Sequence, residues 1–109
     1  MLSEPEQAVF ACALSAPELR ARRNDLARDL FPSVSAVVEL PDGYALEFPG
    51  ERHRLLELAE LVAFERECCP FLRFELDCAP ESGPLLLRVR GPQAAKEFIA
   101  ATFVPDAPG

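Results

Sequence analysis

Apolar and polar positions recur along this chain with two different periods, and the changes between them mark the elements. From Leu19 the apolar positions Leu19, Leu26, Ala27 and Leu30 fall at helical spacing beside Arg22 and Arg23, a narrow stripe that Phe31-Pro32 ends. Ser15-Ala16-Pro17-Glu18 ahead of it reads as a capping box, with Ser15 as the cap and Pro17 where a first-turn N–H is spare. From Val34 the period becomes two: Val34, Ala36, Val38 and Leu40 share one face, and Ser35, Val37 and Glu39 the other. Pro41-Asp42-Gly43 is a turn, after which Tyr44, Leu46 and Phe48 continue the alternation, so a hairpin is expected. Pro49-Gly50 closes it. Residues 51–68 then contain neither Pro nor Gly and carry Leu55, Leu58, Ala59, Leu61 and Val62 near one face, which predicts the longest helix.

The same plan repeats in the second half. Leu72, Phe74, Leu76 and Cys78 alternate with Arg73, Glu75 and Asp77, the Pro80–Pro84 segment turns the chain, and Leu85, Leu87 and Val89 alternate with Leu86, Arg88 and Arg90. Gly91-Pro92 opens a short helix through Phe103 with Ala95, Phe98, Ile99 and Thr102 at helical spacing. The expected fold is α+β, in the order α-ββα-ββα: a four-stranded antiparallel sheet with helices on one face. Its other face, carrying Val37, Ala45 and Leu86 among charges, is a candidate homodimer or partner surface. The expected organisation is a single domain over residues 1–104 followed by a flexible tail, 105–109.

Composition then narrows the function. A length of 109 residues, half of them hydrophobic, suits one small core. The net charge of -7 disfavours nucleic acid and anionic membrane surfaces as partners. No segment has the length of about 20 apolar residues that a membrane span needs, and the acidic start does not read as a signal peptide, so a cytoplasmic protein is expected. No nucleotide cofactor is expected, because Gly50 and Gly91 lack any phosphate-loop pattern. In a reducing compartment the four cysteines, Cys12, Cys68, Cys69 and Cys78, are core residues, ligands or reactive thiols, and no standing disulfide is expected.

The chemistry concentrates in Phe64-Glu65-Arg66-Glu67-Cys68-Cys69-Pro70-Phe71. Spacings of three and four place Glu65 beside Cys68 and Cys69, on the apolar stripe of the long helix. A carboxylate there requires an arginine such as Arg23, a hydrogen-bond donor, a proton or a metal ion. Pro70 forces Cys69 out of the helical region, so both thiols sit at the helix carboxyl end, where the dipole, Glu65 and Glu67 favour the protonated thiol over an activated nucleophile. The same negative surroundings favour a cation. Adjacent cysteines suit thiophilic ions, mercury, cuprous copper or arsenite, with zinc also in range. The expected ligands are Cys68 and Cys69 with Cys12 as a third sulfur and Glu65 in or near the ligand shell. Cys78 follows the inward parity of its strand and reads as an ordinary buried residue, with a fourth ligand as the alternative. His53, roughly 22 Å along the helix from the pair at 1.5 Å per residue, reads as a surface residue. Two alternatives compete with ion binding: a thiol-dependent enzyme or redox protein, for which no catalytic residue is assigned, and a dimerisation or binding module whose cysteines are only packed.

The segments Ala11-Cys12-Ala13-Leu14-Ser15, Leu40-Pro41-Asp42-Gly43-Tyr44, Glu65-Arg66-Glu67-Cys68-Cys69-Pro70-Phe71 and Gly91-Pro92-Gln93-Ala94-Ala95-Lys96-Glu97-Phe98 resemble a family of small bacterial proteins that share an ERxCCPF double-cysteine motif. The resemblance spans residues 11–99. It brings no established activity, and it implies heavy-metal or thiol chemistry at Cys12, Cys68 and Cys69.

Overall fold

The computed structural model describes residues 16–105. Cys12 and Ser15 lie outside that range, as does most of the expected tail. Helix α1 spans Pro17–Leu30 and runs into a 3-10 turn, Phe31–Ser33. Strands β1 (Ala36–Leu40) and β2 (Gly43–Phe48) precede helix α2 (Arg52–Cys68), and strands β3 (Arg73–Cys78) and β4 (Leu85–Arg90) precede helix α3 (Lys96–Phe103), which a short 3-10 turn introduces. The order is the expected α-ββα-ββα. Ala16, not Ser15, occupies the cap position of α1 and makes no side-chain capping bond. Pro17 opens the helix as its spare first-turn N–H allows.

All four strands are antiparallel, in the order β1-β2-β4-β3. The two hairpins therefore join through their second strands, and the first strands form the edges. Tyr44, Leu46 and Phe48 of β2 stand opposite Val89, Leu87 and Leu85 of β4, which in turn stand opposite Phe74, Leu76 and Cys78 of β3. Directly opposed residues share a face, and this set faces the helices: Leu46, Phe48, Leu87 and Val89 are buried against Leu58 and Leu61 of α2 and Ile99 and Phe103 of α3. Phe103 meets the ring edges of Phe74 at 5.9 Å and Phe31 at 6.3 Å.

The parity of β1 is the reverse of the one its alternation suggests. A two-residue turn at Pro41-Asp42 pairs Leu40 with Gly43, which puts Val37 opposite Leu46 and Glu39 opposite Tyr44. Val37 and Glu39 thus lie on the helix side, while Ala36, Val38 and Leu40 lie on the open face. Lys96 of α3 confirms the assignment, because its ammonium sits 2.6 Å from Glu39 Oε2 and 5.6 Å from the centre of the Tyr44 ring. The turn fixes the register, and β1, an edge strand with almost no burial, has too few buried positions to oppose it. Val37 is consequently not part of the open face, which instead carries Val38, Ala45 and Leu86 beside an ionic network, Arg88–Asp77 and Arg90 between Glu75 and Asp42. Val37 and Val38 are both exposed despite their opposite directions, so Val37→Asp and Val38→Asp are each expected to stay within about 0.5 kcal/mol in urea unfolding.

Helix α1 packs on α2. Leu26 and Leu30 supply its buried side chains, next to Leu58 and Leu61 in the same cluster. Arg22 forks onto Glu60 through bonds of 3.0 and 2.8 Å, and Asp29 meets Arg54 at 3.3 Å, so the two helices run antiparallel. Such exposed pairs add little energy but fix the sliding register. That register places Arg23 against the last turn of α2.

Candidate metal centre

Glu65, Cys68 and Cys69 converge because α2 ends where it does. Their spacing of three and four puts them on one side of the last turn. Pro70 then denies Cys69 a helical conformation: Cys69 takes φ -129° and ψ 72° while its N–H still donates to the Glu65 carbonyl at 2.7 Å. The chain folds back at once, with Leu72 N–H donating to the Cys69 carbonyl at 3.1 Å before β3 begins. Both cysteine side chains are buried, walled by Phe64, Phe71, Leu72 and Phe98. Phe71 and Phe98 pack edge to face at 5.6 Å, so α3 closes the site from the far side. Phe98 was legible only as one more apolar position of a short helix; its contact with the cysteines depends on the crossing of α3 over the sheet.

Glu65 is 1% exposed. Its Oε2 accepts a bond from Arg23 Nε, the partner its position on an apolar stripe demanded, and its Oε1 accepts the Cys69 thiol at 3.8 Å. Burial pushes the Glu65 carboxyl above the ordinary carboxylate range, against the pull of Arg23 and, less strongly, of Cys69. Burial first, then the adjacent Glu65 charge, pushes the Cys69 thiol up to about 12. Cys69 is therefore a protonated thiol at neutral pH, as the helix carboxyl end and the neighbouring carboxylates implied.

One carboxylate oxygen and two sulfurs, from Glu65, Cys68 and Cys69, lie within 4.8 Å of one another, close enough to hold a metal ion. Cys68, however, is disulfide-bonded, contrary to the expectation of free thiols throughout. Cys69 and Cys78 carry free thiols. Reduction would free the Cys68 sulfur.

Cys78 corrects a second expectation. It has the inward parity, opposite Leu85, yet it is exposed. It ends an edge strand beyond the cover of the helices and lines an open cleft of about 280 Å³ with Glu51, Arg52 and Leu55. That cleft lies at the amino end of α2, about 20 Å from the cysteine pair at 1.5 Å per residue, so Cys78 is not a ligand of the same site. His53 is on the surface, 3.6 Å from Glu51. Iodoacetamide on the folded protein is expected to modify the exposed Cys78 and to leave the buried Cys69 untouched until the chain unfolds, as peptide mass mapping would show.

No family model, curated protein or solved structure matches this chain. Among the described residues no helix is long and apolar enough to cross a membrane.

Proposed function

We propose that the reduced chain binds a soft metal or metalloid ion through Cys68 and Cys69, with Cys12 as the third sulfur and Glu65 beside them, and acts in sequestration, delivery or resistance. The observation that carries this reading is the buried donor cluster: two sulfurs and a carboxylate oxygen within 4.8 Å, enclosed by aromatic side chains. Thiolates select soft ions over magnesium or calcium, and a helix carboxyl end next to a carboxylate favours a positive centre. A bound ion lowers a thiol pKa such as that of Cys69, which the protein alone raises, so the absence of activation at Cys69 is no obstacle to ligation. A reducing compartment such as the cytoplasm would hold the protein in the binding form.

Native mass spectrometry with zinc, cuprous, mercuric and arsenite ions tests this on reduced and oxidised protein. A stoichiometric adduct is expected in the reduced protein, absent after oxidation and absent in Cys68→Ser. An affinity no better than that of a simple dithiol would reject it.

The disulfide at Cys68, one residue from a free thiol, favours thiol–disulfide exchange as a second reading. Its weakness is the attacking group. A buried Cys69 pushed up to about 12 supplies almost no thiolate at neutral pH. A Cys69 alkylation rate that titrates at or below the free-thiol value of about 8.5 would reverse the preference between the two readings.

A further inference from the structure

Strand β1 is an edge of the sheet, and among the described residues no strand pairs with its outer side. The two edges differ. β3 carries Arg73, Glu75 and Asp77 on the open face, and charges of this kind keep an edge from pairing with a foreign strand. β1, Ala36-Val37-Val38-Glu39-Leu40, has no proline, and its single charge is held within the chain by the Lys96 ammonium at 2.6 Å. Val37 is 40% exposed on the helix side and Val38 56% exposed on the open face. Apolar side chains on both faces suit a strand inside a sheet rather than one at its margin. The open face itself is a poorer surface. Ala45 in its middle is already 4% exposed, and Arg88–Asp77 and Arg90–Glu75 close its charges among themselves, so covering it would desolvate paired ions.

The turn determines which backbone groups of β1 face outward. A two-residue turn makes its flanking pair, Leu40 and Gly43, a hydrogen-bonded one, and alternation extends this to Val38 with Ala45 and Ala36 with Glu47. The N–H and C=O groups of Val37 and Glu39 therefore point away from β2. The Ser35 N–H is spent on the Glu47 carbonyl at 2.8 Å. A second copy laid antiparallel on this edge has three twofold registers to choose from. Val37 on Val37 would leave Glu39 facing Ser35, and Glu39 on Glu39 would oppose like charges. Val37 on Glu39 uses every outward group, in four N–H to C=O bonds. It sets Val38 on Val38 across the axis, sets Leu40 on Ala36 beside it, and brings in each Glu39 already neutralised by its own Lys96.

We propose that β1 pairs with β1 of a second copy of this chain about a twofold axis at Val38, joining two four-stranded sheets into one of eight strands. The cysteine site plays no part in it. Five residues at about 3.4 Å each make a seam of about 17 Å, so this is a small, reversible interface.

Sedimentation equilibrium of the full chain over roughly 1 μM to 1 mM reads the assembly. The average mass should rise from one chain toward two. Val38→Lys, which opposes like charges across the axis at an exposed position, should weaken the dimer at least about tenfold. In a Cys78→Ser background, Val38→Cys should cross-link to itself under glutathione disulfide, because facing residues of a non-hydrogen-bonded pair lie about 4.5 Å apart at Cα. Ala36→Cys, whose own copy would lie about 14 Å away along the strand, should not. A single-chain mass at every concentration would overturn the proposal. If the Val37 and Glu39 amides of that monomer are nevertheless protected from hydrogen exchange, residues of the same chain outside 16–105 cover the edge instead. A dimer unaffected by Val38→Lys would place the interface elsewhere, and equal cross-linking of Ala36→Cys and Val38→Cys would overturn the register.

Discussion

Arg23→Ala should lower the unfolding free energy by about 3–5 kcal/mol, since it strands a buried carboxylate without its partner. Glu65 is 1% exposed and pairs with Arg23, so the loss would take a large part of the stability of a small domain, typically about 5–15 kcal/mol. Two further measurements separate this cause from lost packing of the arginine stem. Glu65→Gln in the Arg23→Ala background removes the stranded charge and should recover most of the loss. The pH dependence should also carry a definite sign. Burial raises the Glu65 carboxyl in the folded state, and without Arg23 it rises further. A carboxyl that holds its proton more tightly folded than unfolded contributes most below its ordinary value of 4.5 and loses that contribution as pH rises through the folded value. The gap between wild type and Arg23→Ala should therefore widen as pH rises above 4.5. A gap independent of pH would mean that Arg23 acts through packing.

Reduction should produce the second large effect. Opening the Cys68 disulfide is expected to lower stability by about 2–4 kcal/mol, chiefly by releasing the unfolded chain from a cross-link. Cys68→Ser in oxidising buffer should show the same loss and no further response to a phosphine. A ligand that binds the reduced site at a hundred times its dissociation constant should restore about 2.7 kcal/mol, so that reduced, ligated protein unfolds near the oxidised midpoint. Denaturant titrations of the oxidised, reduced and reduced-plus-ligand forms give all three values. A reduced form as stable as the oxidised one would show that the cross-link constrains little.

Much of this architecture could be read directly from the chain. The helices and hairpins are marked by changes of period and by Pro41-Asp42-Gly43, Pro49-Gly50 and Gly91-Pro92, because local turn chemistry needs no tertiary information. Glu65 was legible as a carboxylate in need of an arginine, a donor, a proton or a metal ion, with Arg23 as one candidate; the packing of α1 on α2 selects it. The parity of β1 was not. Val37 and Val38 are adjacent and both apolar, so hydropathy alone does not choose between them; the two-residue turn does. Cys78 shows a related limit, since alternation gives the direction of a side chain and not the depth of cover above it. The disulfide at Cys68 opposed an argument from cellular compartment, which concerns redox conditions and is blind to which sulfurs the fold brings within bonding distance.

The strand order β1-β2-β4-β3 also constrains how the chain reaches this state. Each hairpin closes across a short turn and can form in about 1–10 μs by itself. The central seam pairs Gly43 with Arg90 and Phe48 with Leu85, positions separated by the whole of α2 and β3, so a long loop must close before that pairing gains anything. Folding should then be limited by the meeting of two preformed halves, and substitutions along the β2–β4 seam should slow folding, whereas those in the outer strands should mainly hasten unfolding.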